Sequence, residues 1–151
     1  MRNLAFFAAF AAVVTVAACS NANDGGNGCS TSQGPQPVLL YPAPNSTGVT
    51  AGLQEVAVYD LGGALGYVNL VPLNTSEPTL QGGQFVPASP LPLPSPAASA
   101  PAGATIYSSS VPEGLVVSGA TYNVQFVPNK QPPCGPQQTK GVIGQFTVAN
   151  P

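Results

Sequence analysis

The chain has 151 residues, and its charged side chains comprise only three Lys or Arg and five Asp or Glu. This weakly acidic balance argues against nucleic-acid binding, because contact with a phosphate backbone requires clustered Lys and Arg. Histidine is absent, which excludes a Ser-His-Asp or Cys-His catalytic arrangement and any histidine-ligated metal site. The 18 Pro and 17 Gly suit either disorder or a turn-rich all-β domain, and 44% hydrophobic residues favour the folded domain.

Residues 1–18 have the pattern of a secretory signal. Arg2 supplies a positive charge, and the following run to Ala18 is apolar or small except for Thr15. This run of about fifteen residues is shorter than the roughly twenty that a membrane-spanning helix needs. The pattern therefore predicts export, with the signal removed from the mature protein.

The V-A-A-C sequence that ends at Cys19 resembles the lipobox of bacterial lipoproteins. In that family the Cys thiol is diacylglycerylated, the signal is cut off before it, and the new amino group is often acylated, for example with palmitate. The resemblance implies that Cys19 is the lipidated first residue, and two or three acyl chains make a stable anchor. Because Ser20 and not Asp follows, the resemblance favours the outer membrane. A soluble protein cut near Ala18 is the alternative.

Residues 19–36 are rich in Gly, Asn and Ser and almost free of apolar side chains. Such a segment buries too little surface to offset its ordering entropy, so it is predicted to be a flexible tether.

If Cys19 is lipidated, Cys29 and Cys134 remain, and a pair of cysteines in an exported protein indicates a disulfide. Two free thiols, or pairing between molecules, are the alternatives.

From residue 37 the chain reads as short strands separated by Gly and Pro turns, with no capped helical pattern. The clearest strand runs from Ala120 to Phe126, where Tyr122 and Val124 alternate with polar residues, as in a half-buried antiparallel strand. About seven strands are predicted, with the following approximate positions: 38–41, 53–60, 67–73, 84–86, 105–108, 120–126 and 141–148.

Residues 87–103 form a proline-rich insertion. Closely spaced prolines block sheet pairing and favour the extended polyproline II conformation, so this segment is predicted to be a stiff surface loop. A recognition motif for an aromatic groove or a site of O-glycosylation is the alternative.

Three short motifs follow one another along the chain: Y-P-A-P-N-S-T-G-V from Tyr41, G-A-T-Y-N-V-Q-F from Gly119, and G-Q-F-T-V ending at Val148. In this order they resemble the motifs of bacterial immunoglobulin-like (Ig-like) and fibronectin type III-like domains. The resemblance implies a single Ig-like antiparallel β-sandwich over residues 37–149, with the proline-rich loop as an insertion. It also implies a tyrosine corner, in which Tyr122 hydrogen-bonds to upstream backbone. The chain departs from the family in lacking Trp and strand cysteines that bridge the sheets.

The acidic residues are scattered singly and are predicted to lie on the solvated surface. Glu55 and Asp60 are the closest pair, but their odd spacing on one strand points them to opposite faces. A catalytic carboxylate pair is therefore not expected. No catalytic residue, metal ligand or cofactor is assigned.

Together these features predict a non-catalytic, lipid-anchored protein of the bacterial cell envelope, with an Ig-like domain in a structural, adhesive or protein-interaction role. The expected partners are the membrane, through the lipid on Cys19, and an envelope or surface protein. One alternative is a carbohydrate-binding surface module, which would carry an exposed row of aromatic side chains. Another is an accessory subunit of an envelope complex.

Overall fold

The computed structural model describes residues 29–60, 66–88 and 92–151, and within these ranges the chain is all-β. Its eleven strands there are β1 (Thr31–Gln33), β2 (Val38–Tyr41), β3 (Ser46–Val49), β4 (Glu55–Asp60), β5 (Gly66–Pro72), β6 (Leu80–Gln84), β7 (Val86–Pro87), β8 (Thr105–Ser110), β9 (Thr121–Pro128), β10 (Gly135–Gln137) and β11 (Gly141–Val148). The described ranges contain no helix that is long and apolar enough to cross a membrane. The predicted signal, Cys19 and the tether up to residue 28 lie outside the described residues.

The strands of the described residues are arranged in three sheets. A five-stranded sheet has the order β3-β11-β9-β5-β6, a four-stranded sheet has the order β2-β4-β8-β7, and β1 pairs with β10. Neighbouring strands are antiparallel except for β3 with β11 and β1 with β10, which are parallel. The prediction of an all-β fold is confirmed, and the arrangement is consistent with a β-sandwich.

One hydrophobic core takes side chains from both larger sheets. From the five-stranded sheet it includes Tyr122 and Phe126, and from the four-stranded sheet Leu39 and Val58, all at most 1% exposed. Along β9 buried and half-buried residues alternate, so the predicted period-two pattern of that strand is confirmed. Phe85, between β6 and β7, packs on Phe126 with 6.3 Å between ring centroids.

The chain passes from one large sheet to the other on both sides of the core. β2 pairs with β4 in the four-stranded sheet, whereas β3, just after it, pairs with β11 in the five-stranded sheet. On the other side β6 pairs with β5, and β7 then pairs with β8. The predicted strand at 84–86 is therefore two short strands, because Phe85 lies between them with its side chain in the core. These switches keep the edge strands short, which limits edge-to-edge pairing with other chains.

The described part of the proline-rich loop covers the free edge of β2. The Ala98 N–H donates to the Leu40 carbonyl at 2.8 Å, and the Ala43 N–H donates to the Pro96 carbonyl at 2.9 Å. Leu93 and Ala98 pack against the core. Because proline lacks an N–H donor, this cover offers few groups to which a further strand could pair.

The small sheet extends the ordered chain into the predicted tether. The Gly34 N–H donates to the Gln137 carbonyl at 2.7 Å, and the Gly135 N–H donates to the Ser30 carbonyl at 3.2 Å. The segment predicted as a tether, residues 19–36, therefore includes a paired strand at Thr31–Gln33. The polar side chains of these residues bury no apolar surface. Pairing with β10 orders the segment instead, because it satisfies the backbone N–H and C=O groups.

Gly66, at the start of β5, is a position where any side chain collides with backbone. A Cβ there would overlap the Val127 carbonyl oxygen and approach Pro128 Cα to 2.9 Å. We expect Gly66→Ala to lower the free energy of unfolding by about 1–3 kcal/mol, because backbone of the neighbouring strand must move. Denaturant unfolding measures the loss. The matched control is Gly141→Ala, also at the start of a strand beside β9, where a Cβ has no atom within 4 Å. Equal stability of both variants would contradict the prediction.

Candidate functional site

Cys29 and Cys134 form a disulfide bond. Their Cα atoms are 5.4 Å apart, and the bond closes a loop with a sequence separation of 105. Cys29 directly precedes the small sheet, and Cys134 lies in the loop between β9 and β11. The bond therefore fixes the start of the described chain to that loop.

Gln138 joins the small sheet to the four-stranded sheet. Its side-chain amide donates to the Pro35 carbonyl at 2.9 Å and to Asp60 Oδ2 at 3.2 Å. Gln138 and Asp60 are buried. The prediction that the acidic residues are solvated is thus wrong for Asp60, whose burial is compensated by hydrogen bonding.

The Tyr122 hydroxyl accepts a hydrogen bond from upstream backbone. The donor is the Val117 N–H, at 3.0 Å. The Tyr122 side chain is fully buried, and its ring stacks on Phe146 with 5.6 Å between centroids. The hydrogen bond joins the loop before β9 to a core-facing side chain of that strand, which indicates a structural role.

We expect Tyr122→Phe to lower the free energy of unfolding by about 0.5–1.5 kcal/mol, because the ring stays packed while the Val117 N–H loses its acceptor. Chemical denaturation followed by far-ultraviolet circular dichroism measures the change. Tyr67→Phe is the matched control: Tyr67 is half-buried in β5, and its hydroxyl makes no hydrogen bond within the described ranges. Losses of equal size in the two variants would count against a special role for Tyr122.

The acidic residues of the described ranges do not converge on a reaction centre. Glu55 and Asp60 are the two ends of β4, five residues and about 17 Å apart along the strand. Across the described ranges, no three His, Cys, Asp or Glu side chains come together where they could hold a metal ion. The geometry thus offers neither a carboxylate pair nor a metal centre in this part of the chain.

A cleft of about 660 Å³ opens on the face of the four-stranded sheet that carries Glu55, opposite to the face that carries Val56 and Val58. The pairing of β4 with β8 sets Glu55 opposite Ser110 and Ala57 opposite Ser108, and Tyr41 of β2 lies on the other side of Ala57. Alternate residues of a strand share a face, so Tyr41, Glu55, Ser108 and Ser110 lie together. All four line the cleft.

Neighbouring elements complete the walls of the cleft. Gln84 and Val86 come from the β6–β7 crossing, Gln54 from the turn before β4, and Pro94 from the proline-rich loop. Val86 is 55% exposed, so the rim presents aliphatic surface next to amide and hydroxyl groups. The volume falls in the range of about 300–1,000 Å³ that is common for small-molecule pockets.

Glu55 gives the cleft a negative charge. It has no ion-pair partner within the described ranges, and Lys130 and Lys140 belong to the β9–β11 loop, at the Asp60 end of β4. Burial raises the pKa of the Tyr41 phenol above its usual value of 10.0, and the nearby Glu55 carboxylate raises it further. The phenol therefore keeps its proton at neutral pH and lies close enough to Glu55 to sense its charge.

The cleft was not found by sequence reasoning. Its signals were a Glu in an apolar strand and the Ser-Ser-Ser run ending at Ser110, and neither signal is specific. What makes them a site is the register that sets Glu55 opposite Ser110.

The aromatic side chains of the described ranges are buried or half-buried. Tyr122, Phe126 and Phe146 lie in the core, whereas Tyr67 and Tyr107 are half-buried. The large hydrophobic side chains that are exposed in the described ranges are aliphatic: Val38, Leu73, Val86, Leu115 and Val142. The described surface therefore does not present the aromatic row that the carbohydrate-binding alternative predicts.

Comparisons with protein-family models, with curated proteins and with solved structures found no match. The functional assignment therefore depends on the residues and geometry of the chain itself.

Proposed function

We propose that the protein is a non-catalytic, lipid-anchored component of the bacterial cell envelope, sorted to the outer membrane. Its folded part would be an Ig-like domain that acts as a structural, adhesive or protein-interaction module. Its partners would be the membrane, through lipid on Cys19, and an envelope or surface protein.

The sheet order carries the Ig-like part of the proposal. Ig domains have strands A, B, E and D in one sheet and C, F and G in the other. The order β2-β4-β8-β7 agrees with A-B-E-D, and the order β11-β9-β5-β6 agrees with G-F-C followed by an added edge strand. The hydrogen bond between Tyr122 and Val117 is a second feature typical of these domains.

The V-A-A-C motif at Cys19 supports the lipid anchor. Cys29 follows ten residues later and is fixed to the β9–β11 loop by the disulfide. Ten residues reach at most about 35 Å, so an anchor at Cys19 would hold that loop close to the bilayer surface. The opposite end of the sheets would then face away from the membrane.

The distribution of polar groups supports a binding or structural role over catalysis. No histidine is available as a general base. Glu55 stands in its cleft without a second carboxylate, and Asp60 is buried against Gln138.

Intact mass and detergent phase partitioning of the native protein test the anchor. We expect the mature chain to begin at Cys19 with added acyl mass and to enter the detergent phase. Cys19→Ala should lose both properties. Cys29→Ser is the matched control and should keep both, since its cysteine is not at the predicted cleavage site. An unmodified Cys19 in a water-phase protein would overturn the proposal and leave a soluble exported domain.

A further inference from the structure

We infer that the cleft lined by Tyr41, Glu55, Gln84, Ser108 and Ser110 binds a small organic cation, an ammonium or guanidinium group. This site goes beyond the proposed function. It depends on the cleft alone and requires neither the lipid anchor nor an Ig-like identity.

The charge in the cleft sets the sign of the ligand. Glu55 is half-buried, and no Lys or Arg neutralises it within the described ranges. A carboxylate that is partly removed from water and unpaired is costly, so a cation that enters the cleft is attracted more strongly than at an open surface. The same charge repels carboxylate and phosphate ligands.

The neutral groups around Glu55 suit the N–H donors of such a cation. The hydroxyls of Ser108 and Ser110 and the amide oxygen of Gln84 are acceptors on the cleft wall. The Tyr41 phenol lines the same cleft and keeps its proton at neutral pH, and its oxygen is a further acceptor. A guanidinium or ammonium can thus use the carboxylate and several neutral oxygens at once.

The rim of the cleft suits an aliphatic stem next to the charge. Val86 is 55% exposed, and Pro94 faces it from the proline-rich loop as part of the same lining. Long cationic side chains commonly lay their methylene groups on apolar surface in this way. The cation could therefore be a free alkylamine or the Lys or Arg side chain of a partner protein.

The test is an NMR titration of the ¹⁵N-labelled protein in a neutral detergent, at constant ionic strength. The probes are butylammonium and butylguanidinium chloride, with butanol as the neutral control and sodium butyrate as the anionic control. We expect saturable shifts from the two cations, largest at amides near residues 41, 55, 84 and 108–110. Butanol and butyrate should give no saturable shift there.

Two variants test the role of the charge. Glu55→Gln should weaken butylguanidinium binding by about tenfold or more, since it removes the ionic acceptor. Glu113→Gln, an exposed acid in the β8–β9 loop, is the matched control and should leave the affinity unchanged. If Glu55→Gln does not fold, Gln84→Glu decides, because a second carboxylate on the cleft wall should tighten binding several-fold.

Equal affinities for Glu55→Gln and Glu113→Gln, no gain in Gln84→Glu, or equal binding of butyrate and butylammonium would each overturn the inference. A capped Gly-Lys-Gly peptide distinguishes the source of the cation. Binding at least as tight as that of butylammonium supports a side chain of a partner protein, and exclusion of the peptide supports a free amine. Neither titration depends on acylation of Cys19. A failure of the cation-binding inference is therefore distinguishable from a failure of the proposed lipid anchor.

Discussion

Replacing both Cys29 and Cys134 with serine should lower the free energy of unfolding by about 4–5 kcal/mol in the chain-entropy account. The reason is the length of the closed loop: a sequence separation of 105 makes the cross-link a strong constraint on the unfolded chain. Both cysteines are exposed, so serine costs little native packing. Because a whole domain has a net stability of about 5–15 kcal/mol, we expect the variant to be only marginally folded.

Urea unfolding of the variant and the wild type measures this loss. Full reduction of the wild type with dithiothreitol should reproduce it, while the same treatment should leave the variant unchanged. An unaltered midpoint after complete reduction would show that the disulfide contributes no stability. The small sheet should respond first, since β1 begins two residues after Cys29 and, among the described strands, pairs only with β10.

Phe126→Ala is expected to cost about 3–5 kcal/mol of unfolding free energy. Phe126 is 1% exposed in the central strand β9, and its ring centroid lies 6.3 Å from that of Phe85. Removing the ring loses the transfer energy of its atoms and leaves a cavity that strands on both sides must close. Thermal and urea unfolding give the change in stability.

Val142→Ala is the control for that substitution. Val142 lies on the neighbouring strand β11, opposite Gln125, and is 56% exposed. Its truncation should alter the free energy of unfolding by no more than about 0.5 kcal/mol. A Phe126→Ala variant as stable as Val142→Ala would mean that the core is not centred on this ring.

Strands with strong local patterns were predicted well. Val38–Tyr41 and Gly141–Val148 have the predicted bounds. The first is an apolar run between two prolines, and the second begins with Gly and then alternates. Thr31–Gln33 and Gly135–Gln137 were missed because both are short and polar, with no periodicity to detect. They are strands because they pair with each other beside the disulfide.

The candidate site could be predicted only in part. The pairing of Cys29 with Cys134 could be predicted because two cysteines in an exported protein indicate a disulfide. A structural role for Tyr122 was suggested by the local motif around it. No local pattern indicates that Asp60 is buried, since its partner Gln138 is 78 residues away. The cleft likewise takes its lining from five strands (β2, β4, β6, β7 and β8), from the turn before β4 and from the proline-rich loop.

The all-β character of the domain and the absence of histidine chemistry can be predicted from the residues alone. These predictions follow from the period-two alternation of strands, from Pro and Gly residues that end strands and form turns, and from composition. None of them requires knowledge of which strands are neighbours. The sheet order, the cover that the proline-rich loop forms over β2, and the position of Glu55 beside Tyr41 and Ser110 become visible in the folded chain. Register and sheet packing join residues that are far apart in the chain, and no local pattern records which strands become neighbours.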